Sequence, residues 1–230
     1  MFMITLGKYH PPAIMEPFTP FWWECMVMIV LIITIVVRVP FHFKKVNPKI
    51  NIVAEQADWN DYGFDYFEKA TVDRMFGFGL KQAILSFNKQ QLIQNADILL
   101  TKTPKGKDQL LFIENHDLDR FASLEPNFKK QKVAAALMLL IGGIPSIYYG
   151  QEIGMQGKAN SYSNTDGNDI GRREAFDWYQ SGEGKGMAFW YKNTGDWWTN
   201  KNQKSNDGIS LEEQIKDPNS LFNFYKKIMY

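Results

Sequence analysis

Residues 110–121 have the sequence Leu-Leu-Phe-Ile-Glu-Asn-His-Asp-Leu-Asp-Arg-Phe, in which a short apolar run ends abruptly in polar side chains. The apolar run predicts a buried strand. Asn115, His116 and Asp117 follow at the point where that strand would end. In a parallel barrel the loops at the carboxyl ends of the strands converge on one face, and functional side chains gather there. A polar turn would explain an isolated Asn-His-Asp equally well, so the interpretation depends on the rest of the chain.

Further segments of the same kind occur in a fixed order along the chain. Residues 50–55, Ile-Asn-Ile-Val-Ala-Glu, form another short strand-like run that stops at a carboxylate. Residues 144–155, Ile-Pro-Ser-Ile-Tyr-Tyr-Gly-Gln-Glu-Ile-Gly-Met, have the pattern of a strand and its exit loop. Residues 168–178, Asn-Asp-Ile-Gly-Arg-Arg-Glu-Ala-Phe-Asp-Trp, form an arginine-rich segment that ends in tryptophan. Together the segments resemble the α-amylase family of glycoside hydrolases, of the bacterial α-amylase and α-glucosidase type, over residues 50–230.

The resemblance implies both a fold and an activity. Strands alternate with helices from residue 50 onward, which predicts an α/β protein with a parallel sheet. The implied architecture is a partial (β/α)8 TIM-type barrel, namely strands five to eight with their helices at residues 50–230, preceded by an apolar leader at residues 1–49. The implied activity is retaining hydrolysis of α-glucosidic bonds in starch or maltodextrin. Maltose, isomaltose and sucrose enzymes share these strands, so the α-glucan itself stays open.

Local patterns predict the individual elements. Residues 63–67 predict a very short strand, and residues 71–95 predict mostly helix. Asn127 is a good N-cap for a helix that runs through residues 133–141. That helix is apolar on nearly all sides, which predicts that it is deeply packed. Asp217, followed by proline, is expected to open the last helix.

The leader does not match the rest of the chain. Its apolar run at residues 26–37 is shorter than the roughly 20 residues that a membrane-spanning helix needs. The run is rich in β-branched residues, so a buried strand is equally plausible. We favour a non-native or poorly folded leader over a membrane anchor. The features of a secretory signal are not evident, which slightly favours a cytoplasmic location.

The amino-acid composition limits the classes of binding partner that are expected. The formal net charge of +1 gives no reason to expect nucleic acid or an acidic membrane surface as a partner. Aromatic residues make up 15% of the chain, and flat aromatic faces suit pyranose rings, although most of these rings are expected in the core. The single cysteine, Cys25, excludes an intrachain disulfide.

The resemblance also assigns roles to residues. Glu55 is the implied general acid/base, and Asp117 is the implied third acid that binds sugar hydroxyls beside the reacting carbon. The implied substrate-binding residues are Asn115, His116, Arg120 and Tyr149, and the implied partner is an α-glucan. We predict no metal ligands and no cofactor. Calcium is possible in the full-length parent enzyme, whose main calcium ligands lie mostly in the half not recognised in this chain.

The nucleophile of the retaining reaction is not recognisable. The family delivers it from a strand that carries an arginine and an aspartate, and this chain has no aspartate before Asp58. The leader contains two acidic residues, Glu16 and Glu24, and neither lies in a segment that resembles that strand. We therefore predict a fragment that is inactive and unstable alone. The alternatives are a catalytically inactive carbohydrate-binding fragment that uses Trp190, Trp197, Trp198 and His116, and a membrane-anchored, amylase-like interaction subunit.

Overall fold

The computed structural model describes residues 2–6, 39–56, 58, 62–162 and 166–230. The apolar run at residues 26–37 lies outside this part of the chain. The chain divides into two compact units, Met1–Leu111 and Phe112–Tyr230, and each is described by itself.

The first unit contains a parallel sheet flanked by helices. Its neighbouring strands, in order, are β1 (Phe2–Leu6), β2 (Ile52–Gln56), β3 (Arg74–Phe76) and β4 (Asp108–Leu111). Its helices are α1 (Val39–Val46), α2 (Phe64–Lys69), α3 (Phe78–Ser86) and α4 (Lys89–Lys102). Helices separate most consecutive strands, because parallel neighbours need crossover connections. The predicted α/β class with a parallel sheet is confirmed.

The leader contributes to this sheet. Strand β1 pairs with β2 in parallel, with Phe2 opposite Ile52 and Leu6 opposite Gln56. Helix α1 also precedes residue 50. Part of the predicted leader is therefore built into the first unit, and the boundary at residue 49 stays a prediction.

Strand β2 is buried along its whole length, as expected for a parallel strand that is covered on both faces. Ile52, Val53 and Ala54 are each 1% exposed. Asp73 ties this strand to its surroundings, because its Oδ2 accepts a 2.8 Å hydrogen bond from the Ile52 amide and lies 2.7 Å from Nζ of Lys44. Burial alone would raise the pKa of Asp73, but the hydrogen bonds and the lysine charge hold it below its ordinary value. The ion pair fixes α1 beside the start of β2.

The strand predicted at residues 63–67 is wrong. The segment forms helix α2 instead, and Gly63 precedes it with a φ of 65°. Phe64 and Phe67 are three residues apart, so they share one helical face, which packs into the core with Met75. A side chain at residue 63 would meet Cε of Met75 at 2.3 Å. The segment looks like a strand in sequence, but burial of its aromatic rings on one helical face favours the helix.

The helix predicted over residues 71–95 is correct in part. Strand β3 occupies its beginning, and the helical remainder is broken between α3 and α4. Phe87 adopts a left-handed conformation with a φ of 50°, and Asn88 caps α4 by accepting a 3.0 Å hydrogen bond from the Gln91 amide. The predicted apolar face is confirmed, since Leu80 and Ile84 are each 1% exposed.

The second unit is built from short helices and long connections. Its elements are α5 (Phe121–Leu124), α6 (Phe128–Leu140), β5 (Ile144–Pro145), 3-10 turns at Gln151–Ile153 and Asp166–Arg172, α7 (Asp196–Thr199), α8 (Leu211–Gln214) and α9 (Leu221–Met229). Asn127 caps α6 as predicted. The prediction that α6 is deeply packed on nearly all sides is wrong, because Val133 is 49% and Leu140 is 68% exposed. Helix α9 begins later than predicted, with Ser220 rather than Asp217 as its N-cap.

Replacing Asn127 with alanine should lower the free energy of unfolding by about 1 kcal/mol. The Asn127 Oδ1 accepts hydrogen bonds from the amides of Lys129 and Lys130, at 3.0 and 3.4 Å, and alanine leaves both donors without this partner. Urea unfolding followed by circular dichroism measures the change. Lys129→Ala is the matched control, since it alters an exposed side chain of the same turn and should change the value by less than about 0.5 kcal/mol. Equal losses in both variants would contradict the capping role.

Candidate active site

The chain enters the second unit through a buried segment that ends in an exposed turn. Phe112 and Ile113 are 1% and 2% exposed, whereas the side chains of His116 and Asp117 are 46% and 53% exposed. The Asn115 Oδ1 accepts a 3.1 Å hydrogen bond from the Asp117 amide, which is an Asx turn. The turn presents the imidazole and the carboxylate to solvent side by side, with Nε2 of His116 3.3 Å from Oδ2 of Asp117.

Arg173 holds this turn from a segment more than fifty residues further along the chain. Its Nε donates a 2.9 Å hydrogen bond to the carbonyl of His116, and its Nη2 donates a 3.0 Å bond to Oδ1 of Asp117. The same Nη2 is 3.0 Å from Oδ2 of Asp169. One oxygen of Asp117 is thus bound by Arg173, while the carboxylate as a whole stays exposed.

Arg172 fixes the other side of the turn. It donates a hydrogen bond to the carbonyl of Asp117 and forms 3.3 Å ion pairs with Asp119 and Asp169. The Asp119 Oδ1 also accepts a 2.8 Å hydrogen bond from the amide of Ala159. The pair Arg172-Arg173 stands out in the sequence as a motif, but its role is visible only in the structure. The only sequence signal for this role is a pair of adjacent arginines a few residues after Asp166 and Asp169. That signal does not reveal which main-chain carbonyls the arginines bind.

The predicted substrate-binding role of Arg120 requires correction. Its side chain is completely buried, and a buried guanidinium has no surface to offer a sugar. Its Nη1 binds Oε1 of Glu114 at 3.0 Å and the carbonyl of Tyr149 at 2.5 Å, and its Nε binds the carbonyl of Arg172 at 3.0 Å. Its Cζ also lies 4.0 Å from the ring centroid of Tyr148. Arg120 positions the segments around the turn.

Glu114 is the carboxylate partner of Arg120, and its position at the end of an apolar run gives no sequence signal for that role. It is 2% exposed, and its second oxygen accepts a 2.5 Å hydrogen bond from the amide of Phe121. One oxygen of the carboxylate thus binds the Arg120 side chain and the other binds the Phe121 amide. These two contacts close the loop between residues 114 and 121. A buried ion pair of this kind is stabilised only while both partners and their hydrogen bonds are present.

Tyr149 is half-buried at the edge of this cluster, with 38% of its surface exposed. Its hydroxyl donates a 2.7 Å hydrogen bond to the carbonyl of Glu174, and its ring packs against Tyr148 at 4.6 Å between centroids. Burial raises the pKa of the Tyr148 hydroxyl above its ordinary value. The exposed part of the Tyr149 ring is compatible with sugar contact, which stays a prediction.

Glu174 anchors a further loop. It is 1% exposed and accepts hydrogen bonds from the amides of Asn202 and Gln203, at 2.6 and 3.0 Å. Burial raises the pKa of this carboxyl despite those donors. The second unit thus brings Asn115, His116, Asp117 and Tyr149 into one region, which Arg120, Arg173 and Glu174 support from within the protein.

Glu55 lies in the first unit. It is the second-last residue of β2, opposite Thr5 of β1, and it is 5% exposed rather than solvated. Its predicted action together with Asp117 stays a prediction.

Within the described residues, no group of three or more His, Cys, Asp or Glu side chains is arranged to hold a metal ion. None of the described helices is both long and apolar enough to cross a bilayer.

Replacing Glu114 with glutamine should lower the free energy of unfolding by about 3 kcal/mol, because it leaves the charge of Arg120 buried without its counterion. Urea unfolding of the purified chain measures this loss. The control is Glu183→Gln, which breaks an exposed 2.7 Å pair with Lys192 and should change stability by at most about 1 kcal/mol. A Glu114 variant as stable as the control would show that the buried pair does not hold the second unit together.

Comparison with known proteins identifies the family. Residues 50–230 match the family model described as the alpha amylase catalytic domain. Alpha-amylase 3 of Dictyoglomus thermophilum is 28% identical over 197 residues, which cover 82% of this chain and 36% of that protein. A 4-alpha-glucanotransferase of Thermotoga maritima is 32% identical over 165 residues, covering 65% of this chain and 33% of that protein. The chain therefore spans about a third of the length of these relatives.

Solved structures agree at the level of the fold. The structure of Eubacterium rectale Amy13B aligns with a TM-score of 0.60 at 22% sequence identity, over 86% of this chain and 38% of that one. At this identity the match supports the fold alone, a partial TIM-type barrel of α/β class. With the family model matched across residues 50–230, the chain belongs to the α-amylase family of glycoside hydrolases and glucanotransferases.

Proposed function

We propose that this chain supplies the acid/base and sugar-binding part of a retaining enzyme that acts on α-glucosidic bonds of starch or maltodextrin. In this proposal Glu55 is the general acid/base, and Asp117 and His116 bind hydroxyl groups of the sugar beside the reacting carbon. The observation that carries the proposal is the exposed Asn-His-Asp turn clamped by Arg173 inside a region that matches the family's catalytic domain.

The chemistry of the turn supports this assignment. A carboxylate and an imidazole that lie side by side can accept and donate hydrogen bonds to neighbouring hydroxyl groups of one pyranose. Arg173 fixes the carbonyl of His116 and one oxygen of Asp117, so little conformational entropy remains to be lost on binding. Such preorganised groups stabilise charge that develops in the transition state better than mobile ones do.

Retaining hydrolysis also needs a nucleophile. It requires two carboxyl groups about 5 Å apart, of which one is the acid/base and the other forms the covalent glycosyl-enzyme. The family's arginine–aspartate strand is not recognisable in this chain, and no aspartate precedes Asp58. We infer that catalysis depends on a nucleophile from a segment other than residues 50–230.

The second candidate is carbohydrate binding without catalysis. Large indole rings are exposed in the second unit, with Trp178 at 47% and Trp190 at 65%. Exposed aromatic faces suit the apolar faces of glucose rings. Binding of maltooligosaccharides by a chain that shows no hydrolysis, even when supplied with a nucleophile strand, would favour this candidate.

The purified chain should hydrolyse p-nitrophenyl maltosides no faster than Glu55→Gln, because neither form can make the covalent intermediate alone. The same assay is then repeated with the amino-terminal half of the D. thermophilum catalytic domain supplied as a separate chain. If that half restores turnover, Glu55→Gln should reduce the rate by about 100-fold or more through loss of acid/base catalysis. Robust turnover by the chain alone that is abolished by Glu55→Gln would show that another of its carboxylates is the nucleophile.

Arg173→Ala should weaken binding of maltoheptaose about tenfold, which is about 1.4 kcal/mol, because the turn loses its clamp. The same change should lower the free energy of unfolding by at most about 1 kcal/mol, since Arg173 is one-third exposed. Titration calorimetry and urea unfolding measure the two effects.

Lys130→Ala is the control for this variant. It removes an exposed 2.7 Å ion pair with Glu125, and it should leave sugar affinity unchanged. Equal affinity in Arg173→Ala and the control would exclude a role for the clamp in sugar binding.

A further inference from the structure

The side chain of Asp177 lies at a buried position of the second unit where its charge is poorly compensated. The residue is 1% exposed, and its Oδ1 is inaccessible and without a hydrogen-bond partner among the described residues. Glu114 and Glu174 are about as inaccessible, but main-chain amides donate to both of them. A buried carboxylate oxygen without a donor is unfavourable in its charged form, so burial at this place favours a protonated Asp177.

A cavity of about 10 Å³ lies at this carboxyl. The residues that line it are apolar, amide or acidic, and none of them is basic. Met155 and Ile209 contribute apolar surface, and Asp207 is a second acid in the lining. Gln203 lines the cavity as well, and its Oε1 is inaccessible and without a partner among the described residues. The lining therefore offers an acceptor for a proton but no counterion for a carboxylate.

Most of the charges that act on Asp177 also favour its neutral form. The titratable groups around it are Asp207, Glu213, Glu174, Lys201 and Tyr191. Burial is the largest cause that raises the pKa of Asp177 to about 7, and the three acids raise it as well. Lys201 lowers it, without reversing the effect of burial. The raised pKa thus agrees with the missing donor and with the composition of the cavity.

The segment at residues 177–181 is covered by residues 202–212, which we call the covering segment. The amide of Leu211 donates a 2.9 Å hydrogen bond to the carbonyl of Asp177, and the amide of Asn206 donates one of 2.9 Å to the carbonyl of Gln180. The amide of Gln180 donates in turn to Oε2 of Glu212, at 2.9 Å. Contacts between short irregular segments of this kind open at a lower free-energy cost than the whole fold does.

We propose that Asp177 is a pH-sensitive switch, which permits closure of the covering segment as a carboxylic acid and favours its opening as a carboxylate. In the open segment the carboxyl is hydrated, and an aspartate in water loses its proton near pH 4. In the closed segment it keeps the proton up to about pH 7. Between these two values the closed form holds one proton more, so each rise of one pH unit shifts the equilibrium toward the open form by up to about tenfold. Above the higher value the effect levels off.

Opening would also reach the edge of the candidate active site, a consequence that rests on the proposed function. The amides of Asn202 and Gln203, at the start of the covering segment, hold the carboxylate of Glu174. The carbonyl of Glu174 accepts the hydrogen bond from the hydroxyl of Tyr149. The switch itself is tested without sugar, so its failure and the failure of the proposed function are distinguishable.

NMR titration of the 230-residue chain, labelled with 13C at the carboxyl carbons of aspartate, tests the protonation state. The resonance that is missing from Asp177→Asn should titrate near pH 7 in the wild type. Asp207→Asn should lower this pKa, because it removes the strongest neighbouring charge but keeps an oxygen for the Ile209 amide. Glu183→Gln, which changes an exposed acid paired with Lys192, should leave it unchanged. An Asp177 resonance that titrates near pH 4, the ordinary range of aspartate, would overturn the proposal.

Hydrogen exchange of the covering segment tests the opening itself. It is measured by mass spectrometry and corrected for the intrinsic dependence of the exchange rate on pH. Protection in the wild type should fall by at least about tenfold between about pH 5 and pH 7, and little between about pH 8 and pH 9. In Asp177→Asn it should stay constant, because the amide supplies a donor and carries no charge. Equal pH profiles in the two proteins, or a covering segment that is unprotected at every pH, would show that the proposal is wrong.

Discussion

The buried guanidinium of Arg120 is the contact on which the second unit depends. It joins the carboxylate of Glu114, the carbonyls of Tyr149 and Arg172, and the ring of Tyr148. These partners come from well-separated parts of the chain, and the unit contains few long elements of regular structure to hold them otherwise. A planar group with five donors in a rigid fork is suited to this task, and a lysine would not replace it.

This arrangement separates stability from recognition. The charge pair of Arg120 and Glu114 is removed from water, so its loss leaves an uncompensated ion in the interior. Arg173 performs a similar joining task at the surface, where solvent screens its ion pairs and they add little to stability. The exposed turn at Asn115–Asp117 can thus be held in one conformation without being buried, which leaves its carboxylate and imidazole open to a ligand.

Buried carboxyl groups of the second unit differ in the partners that offset their loss of hydration. Glu114 has a counterion, and Glu174 has three donors from the loop at residues 202–203. Asp177 has neither within the described residues, although it is as inaccessible as the others. Burial is the largest cause that raises the pKa of all three carboxyl groups, and the absence of a donor to Oδ1 distinguishes Asp177 from the other two.

The sequence by itself determined the class and the family, because chain order and local periodicity are what those properties depend on. Apolar runs that stop at polar residues located the strand that contains Glu55 and the strand upstream of Asn115, and the cap at Asn127 followed from side-chain chemistry. Tertiary structure decided the rest. Helix α2 replaced a predicted strand because its aromatic rings fit one packed face, β1 joined the sheet from within the leader, and Arg120 became a buried support rather than a ligand. Burial and hydrogen-bond partners depend on segments up to 87 residues apart in the chain, and local sequence does not record which of those segments meet.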